Sequence, residues 1–162
     1  MIPYDISELD ILVLEQHVLI RKLLTEVFKE FGVPTVHSTA SPEIAWQIFQ
    51  AMPVDIIFGD WSHGLNGVEF LQRIRNTESS PNPYVSFIVV TAHSDTDNVC
   101  QARDSGVTEF LAKPVTPKMI YSRIARAIEN NRPFIRASDF FGPDRRRKAM
   151  GVEPGNDRRK TG

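Results

Sequence analysis

The fold is decided by residues 54–61, which read Val-Asp-Ile-Ile-Phe-Gly-Asp-Trp. An apolar run this short, rich in Ile, Val and Phe, is typical of a strand that is buried on both faces. Asp60 comes at the end of the run, and ligands of open α/β sheets bind beyond the carboxyl ends of the strands. The stretch therefore predicts a central strand with a functional carboxylate at its end.

Two further apolar runs end in polar side chains that suit the same site. Thr91 follows residues 86–90, and Lys113 follows residues 110–112. The carboxyl ends of parallel strands lie at one edge of a sheet, so polar side chains from several strands converge there. We therefore expect Asp60, Thr91 and Lys113 to form one site.

Strands and helices alternate along the rest of the chain. Apolar runs at residues 10–14 and 35–38 predict two strands before the central one, and residues 108–112 predict the fifth. Each strand is followed by a helical pattern, near residues 18–31, 41–52, 68–76, 95–105 and 117–129. This alternation predicts an α/β fold: a parallel sheet with right-handed crossovers and helices on both faces.

The first helix carries apolar side chains at helical spacing. Seven of them are expected to face the core: Val18, Leu19, Leu23, Leu24, Val27, Phe28 and Phe31. Gly32 follows this stripe and is typical of the residue just past a helix end, and Gly106 is expected to end the fourth helix in the same way.

Length and composition indicate a soluble globular domain with an appendage. The 162 residues suffice for a substantial core. The N-terminus lacks the pattern of a signal peptide, and no apolar run approaches the roughly 20 residues of a membrane span. Cys100 is the single cysteine of the sequence. Because it permits no intramolecular disulfide, a cytoplasmic location is expected.

Charge divides the chain into two parts. Residues 132–162 contain nine Lys and Arg against four Asp and Glu, and the remainder contains ten against sixteen. The basic part has no sustained apolar period. We therefore predict a folded domain at residues 1–131 and an Arg-rich, flexible tail at residues 132–162.

The three predicted site residues suit phosphoryl acceptance by a carboxylate. Phosphoryl transfer depends mostly on positioning and on neutralising charge. Lys113 supplies a fixed cation for the phosphoryl oxygens, and Thr91 supplies a hydroxyl. Mg²⁺ prefers oxygen ligands, and its candidate ligands beside Asp60 are Glu15 and the backbone carbonyl of Ser62.

The order of these residues resembles the receiver domain of two-component response regulators. The resemblance covers about residues 8–130 and is carried by residues 11–16, 60–67, 90–92 and 112–114. It implies a flavodoxin-like, doubly wound sheet in the order 2-1-3-4-5 with five helices. It also implies a signalling protein, not an enzyme, in which Asp60 takes a phosphoryl group from a histidine kinase or phosphotransfer protein. Phe110 matches the switch aromatic, and the face of helix 4, strand 5 and helix 5 would read out the state.

Two positions depart from the family pattern. Receivers usually carry a second acid where this chain has Gln16, whose amide oxygen is a weaker Mg²⁺ ligand without charge. Losing one of about three negative charges weakens metal binding by roughly a kcal/mol or more. The loop at residues 62–66 also lacks the usual Met-Pro pair. These departures leave open a phosphorylation-independent interaction module of receiver shape.

The tail leaves several interpretations open. Residues 145–148 and 158–160 are basic clusters that suit a solubilising arm, an acidic protein surface or nucleic acid. Nucleic acid is the weakest of these, because no folded DNA-binding motif follows the receiver. The chain is expected to be a stand-alone regulator that contacts an unidentified output protein, with pairing of two copies left open. A phosphatase with an Asp nucleophile is a third interpretation, but Ser62 stands where such enzymes have their second Asp.

Overall fold

The computed structural model describes residues 4–61, 67–92, 100, 102–129, 133–137 and 140–144. The strands are β1 Asp10–Leu14, β2 Thr35–Thr39, β3 Ile56–Asp60, β4 Ser86–Thr91, β5 Glu109–Ala112, β6 Phe134–Ala137 and β7 Phe140–Pro143. The helices are α1 Val18–Glu30, α2 Pro42–Ala51, α3 Gly67–Asn76, α4, described at Cys100 and residues 102–104, and α5 Pro117–Glu129. Within these ranges, every helix is too short or too polar to cross a membrane.

Strands β1 to β5 form one parallel sheet in the order β2-β1-β3-β4-β5. This confirms the predicted fold class and strand order. The central strand β3 pairs with β1 on one side and with β4 on the other. Its side chains are buried throughout, as the apolar run at residues 56–60 predicts.

Alternate side chains of each strand enter two separate core clusters. On one face, Val13 and Phe58 pack with α1 and α5. On the other face, Leu14 and Ile57 pack with α2 and α3. The two-residue period of a strand therefore distributes one apolar run between both helical layers.

Helix α1 departs from its predicted buried stripe. Leu24, Val27 and Phe28 are buried, whereas Val18 and Leu23 are about half exposed and Leu19 is 81% exposed. At about 100° per residue the three buried side chains share one stripe, and Leu19 lies roughly 80° outside it. The predicted stripe of seven apolar residues is therefore wider than the face of α1 that contacts the sheet.

Glycines end two helices as predicted. Gly32 follows α1 with a φ of +82°, and Gly106 follows α4 with a φ of +96°. Both values lie in the left-handed region, where glycine avoids the steric cost that a Cβ imposes.

Two strands, β6 and β7, lie within the segment that the sequence predicts to be a flexible tail. Strands β6 and β7 pair antiparallel and form a two-stranded hairpin, here called the C-terminal hairpin. Its Phe134 and Phe141 rings pack against each other and against Tyr84, with centroids 5.1–5.6 Å apart. These ring contacts and the burial of Phe141 hold the segment on the body. The remainder of the predicted tail, residues 145–162, lies outside the described residues.

Candidate functional site

The site lies where β3, β4 and β5 end. Asp60 is the last residue of β3, and Thr91 is the last residue of β4. The next residue after Asp60, Trp61, donates its backbone N–H to Val90 O at 3.3 Å. Lys113 donates its backbone N–H to Thr91 O at 2.8 Å. These bonds extend the sheet by one residue and hold three strand ends in register.

Two glycines let the backbone near Asp60 approach its neighbours closely. A Cβ on Gly59 would lie 2.4 Å from the Phe87 ring. A Cβ on Gly67, at the start of α3, would lie 2.5 Å from the backbone oxygen of Asp60. A larger residue at position 67 would meet the backbone of Asp60, and one at position 59 would meet the Phe87 ring, so neither fits without a shift of its neighbour.

Lys113 brings two buried carboxylates together. Its Nζ lies 3.4 Å from Asp60 Oδ1 and 3.1 Å from Glu15 Oε2. Glu15 and Asp60 are each only 1% exposed, and the Lys113 side chain is 11% exposed. An ion pair with this little solvent is screened far less than a surface pair. The cluster carries two negative charges and one positive charge.

Glu15 is positioned by the chain that follows β1. Its Oε1 accepts the backbone N–H of His17 at 2.9 Å, and its backbone oxygen accepts Arg21 Nη1 at 2.8 Å. Burial raises the pKa of the Glu15 carboxyl. The hydrogen bond from His17 opposes this rise, the Asp60 carboxylate adds to it, and Lys113 opposes it.

The paired carboxylates suit a divalent cation that prefers oxygen ligands. Glu15 and Asp60 supply hard oxygen donors that both contact Lys113, and Mg²⁺ typically takes one or two protein carboxylates and keeps several waters. Gln16 has an exposed side chain, and Ser62 lies outside the described residues. Among the described residues, no cluster of three or more His, Cys, Asp and Glu side chains has metal-binding geometry.

Thr91 and Phe110 lie on the two strands that follow β3 in the sheet order. Thr91 is 1% exposed at the end of the strand next to β3. Phe110 lies on β5 opposite Val89 and packs, partly buried, against the core cluster under α2 and α3. Ion pairs bring Glu15, Asp60 and Lys113 together, and Thr91 and Phe110 lie on the adjoining strands β4 and β5.

Sequence reasoning missed one buried cation, Arg75 of α3. Its Nη1 donates to the backbone oxygens of Pro83 at 2.7 Å and Val85 at 2.8 Å, and its Nε donates to Gly106 O at 3.1 Å. Burial lowers the pKa of the Arg75 guanidinium to about 9. The available signal was its position four residues after Leu71, on the apolar stripe of α3.

The comparisons with known proteins cover the sheet and the site. The family model of the response regulator receiver domain matches residues 11–125. The probable chemotaxis protein CheY of Rhizobium etli is 26% identical over 111 residues, which are 68% of this chain and 84% of that protein.

Two solved structures have the same fold. A response regulator receiver domain protein from Clostridium thermocellum has 26% identity and a TM-score of 0.64, covering 75% of this chain and 95% of that one. The receiver domain of the histidine kinase CKI1 from Arabidopsis thaliana, complexed with Mg²⁺ and BeF₃⁻, has 23% identity and a TM-score of 0.61. That match covers 76% of this chain and 97% of the other.

Proposed function

Because the chain belongs to the family of response regulator receiver domains, which are signalling modules, we propose that Asp60 accepts a phosphoryl group. The observation that carries this proposal is the Lys113 ammonium 3.4 Å from a buried Asp60 oxygen at the end of the central strand. A carboxylate without such a cation would repel the incoming phosphoryl oxygens.

The phosphoryl donor is a phosphohistidine of a histidine kinase or phosphotransfer protein. An Asp60 oxygen attacks phosphorus, the P–N bond breaks, and the imidazole nitrogen keeps the electron pair. The product is an acyl phosphate. Lys113 contacts a phosphoryl oxygen, and the Thr91 hydroxyl binds another from the end of the neighbouring strand.

Mg²⁺ is the proposed cofactor, and it supplies positive charge that offsets the phosphoryl oxygens. Glu15 and Asp60 would hold it, together with the backbone carbonyl of Ser62, and Gln16 would contribute weakly. The geometry supports this assignment, because two buried carboxylates meet beside a single lysine and leave an excess of negative charge for a divalent cation to offset.

The proposed output is a change in protein contacts at the face formed by α4, β5 and α5. Phe110 lies on β5, three residues before Lys113, and we assign it as the switch aromatic. Phosphorylation shifts the population between two arrangements of the face, since it can bias only states that it contacts differently. The chain then regulates an unidentified partner through protein contacts.

Incubation with acetyl phosphate and Mg²⁺, followed by intact mass measurement at neutral pH, tests the acceptor. We expect one added phosphoryl group on the native chain and none on Asp60→Asn. Asp55→Asn is the matched control, because Asp55 precedes the same strand but accepts a hydrogen bond from the Asp10 backbone. Labelling of Asp60→Asn, or equal loss in both variants, would contradict the assignment.

A phosphorylation-independent binding module is the second candidate. Gln16 favours it, because an exposed amide stands where the family usually has a metal-binding acid. In this case the same face would bind its partner without a phosphoryl group, and the basic clusters of the tail would add an acidic-surface or nucleic-acid contact. Absence of any adduct on the native chain in excess Mg²⁺ would favour this candidate.

A further inference from the structure

The C-terminal hairpin lies at the edge of the sheet opposite the Asp60 site. It contacts the body near the ends of α3 and α4 and at residues that precede β4 and β5. Tyr84, two residues before β4, packs its ring against Phe134 and Phe141. Gly106, three residues before β5, contacts the backbone of β7. The hairpin therefore touches the junction where α4 passes into β5.

The contact at Gly106 depends on two glycines. A Cβ on Gly142 would lie 2.7 Å from the Gly106 Cα, and a Cβ on Gly106 would lie 2.8 Å from the Phe141 backbone oxygen. Backbones this close fit in one relative position only, because neither segment has a side chain that could adjust. A shift of the α4–β5 junction would therefore disrupt the contact between Gly106 and Gly142.

Arg75 ties the junction and the hairpin to the same side chain. Its Nε donates to Gly106 O at 3.1 Å, and its guanidinium carbon lies 5.1 Å from the centre of the Phe134 ring. The Arg75 side chain is itself held by two carbonyls that precede β4. If Gly106 or Phe134 moved away, the buried Arg75 guanidinium would lose a hydrogen bond or a ring contact.

Strand β5 connects the junction to the proposed acceptor site. Thr108 donates its N–H to Phe87 O at 2.8 Å, and its Oγ1 accepts the Phe87 N–H at 3.0 Å. At the other end, Lys113 donates its N–H to Thr91 and pairs with Asp60 and Glu15. The strand is therefore bonded to β4 at both ends, and a displacement at one end is felt at the other.

We propose that the docked C-terminal hairpin is an autoinhibitory contact that is coupled to phosphorylation of Asp60. Docking at Gly106 stabilises the arrangement in which Lys113 pairs directly with Asp60 and Glu15. An arrangement with a shifted α4–β5 junction loses the docking contacts, so the hairpin opposes it. This inference rests on the proposed function, in which the face of α4, β5 and α5 changes with the phosphoryl state.

The test uses the full chain, Mg²⁺ and beryllofluoride, which mimics a phosphoryl group on a carboxylate. Binding is followed by tryptophan fluorescence, since Trp61 directly follows Asp60. Gly142→Ala should release the hairpin and tighten the apparent affinity for beryllofluoride roughly five- to tenfold, within the usual range of coupling between sites. Tyr84→Ala is a milder release variant, and should shift the affinity in the same direction if Gly142→Ala folds poorly.

Arg136→Ala is the matched control on the same hairpin. Arg136 stacks on Phe141 from an exposed position, with 4.3 Å between guanidinium carbon and ring centre, and it takes no part in the Gly106 contact. Its affinity should remain within about twofold of the native chain. Hydrogen exchange at Gly142 should also accelerate in the native chain when beryllofluoride is added, because coupling is reciprocal.

The outcomes separate the two proposals. Saturable binding with unchanged or weaker affinity in both release variants overturns the autoinhibitory contact and leaves the proposed function standing. An equal gain in Arg136→Ala also overturns it, because the effect would then be general loosening. Failure of the native chain to bind beryllofluoride overturns the proposed function and this inference together.

Discussion

At the residue scale, Glu15 makes stability depend on pH. Its folded pKa is raised above the reference value of 4.5, chiefly by burial. The stability that its protonated form contributes is complete below pH 4.5 and is lost as pH rises through the folded pKa. Glu15→Gln should therefore raise the free energy of unfolding at pH 7 by about 1 kcal/mol, and the gain should vanish near pH 4.

Urea unfolding at the two pH values checks this expectation. Glu26→Gln is the control, because Glu26 is an exposed residue of α1 whose ion pair with Lys29 lies in solvent. A loss of stability in Glu15→Gln at pH 7 would mean that the pairing with Lys113 outweighs the cost of burying the charge.

Gln16 sets the strength of the proposed metal site. Gln16→Asp adds a negative charge beside Glu15 and Asp60, and should tighten Mg²⁺ binding about tenfold, which corresponds to roughly 1.4 kcal/mol. Titration of Mg²⁺ with tryptophan fluorescence measures the change. Gln47→Asp makes the same substitution at an exposed position of α2 and should have no effect. Equal affinities for Gln16→Asp and the native chain would remove position 16 from the site.

Residue positions were predictable where they mark the end of a buried run. Asp60 and Thr91 each close a strand because apolar β-branched sequence stops there. Arg75 was not predictable in this way, since an arginine on a helix is usually solvated. Its partners are backbone oxygens from Pro83, Val85 and Gly106, and backbone partners leave no mark in a sequence.

At the scale of the element, the fit of β3 against β4 depends on Gly59. Its missing Cβ leaves room for the Phe87 ring, which a Cβ would approach to 2.4 Å. Gly59→Ala should lower the free energy of unfolding by about 1–3 kcal/mol through overpacking. Chemical denaturation measures it, and Gly59→Ala with Phe87→Leu should recover part of the loss. If the double variant is no more stable than Gly59→Ala, the loss of stability does not come from a clash with the Phe87 ring.

Element boundaries were predicted best where a period or a cap was strong. Strands β1 to β5 and the end of α1 at Gly32 follow directly from such signals. The C-terminal hairpin was missed because each of its strands has four residues, too few to establish alternation. Its aromatic side chains gain their stability from Tyr84, about 50 residues earlier in the chain, and such pairings arise only in three dimensions.

At the scale of the whole molecule, the hairpin should be part of the folding unit. A chain ending at Asn131 loses the buried Phe141 and the ring contacts of Phe134. Its free energy of unfolding should fall by about 2–4 kcal/mol, which is the usual gain from burying one or two such side chains. A chain ending at Asp144 is the control and should match the full chain. Equal stability of both truncated chains would make the docking energetically neutral.

The N-terminal segment that precedes β1 also packs on the folded body, on the side of α1 and α5. The Tyr4 hydroxyl donates to Glu129 Oε1 at 2.7 Å, and the Tyr4 backbone N–H donates to the Tyr121 hydroxyl at 2.8 Å. Ile6 is buried in the core that α1 and α5 share. Residues on both sides of the family match therefore contact the matched region.

These contacts matter for anyone grafting this receiver onto another protein. A fusion cut at the limits of the family match, residues 11–125, would sever α5 and discard both Ile6 and the hairpin. The transplanted domain would then expose apolar surface at two places, and exposed apolar surface promotes aggregation. A fusion protein that includes residues 4–144 would keep both apolar surfaces covered.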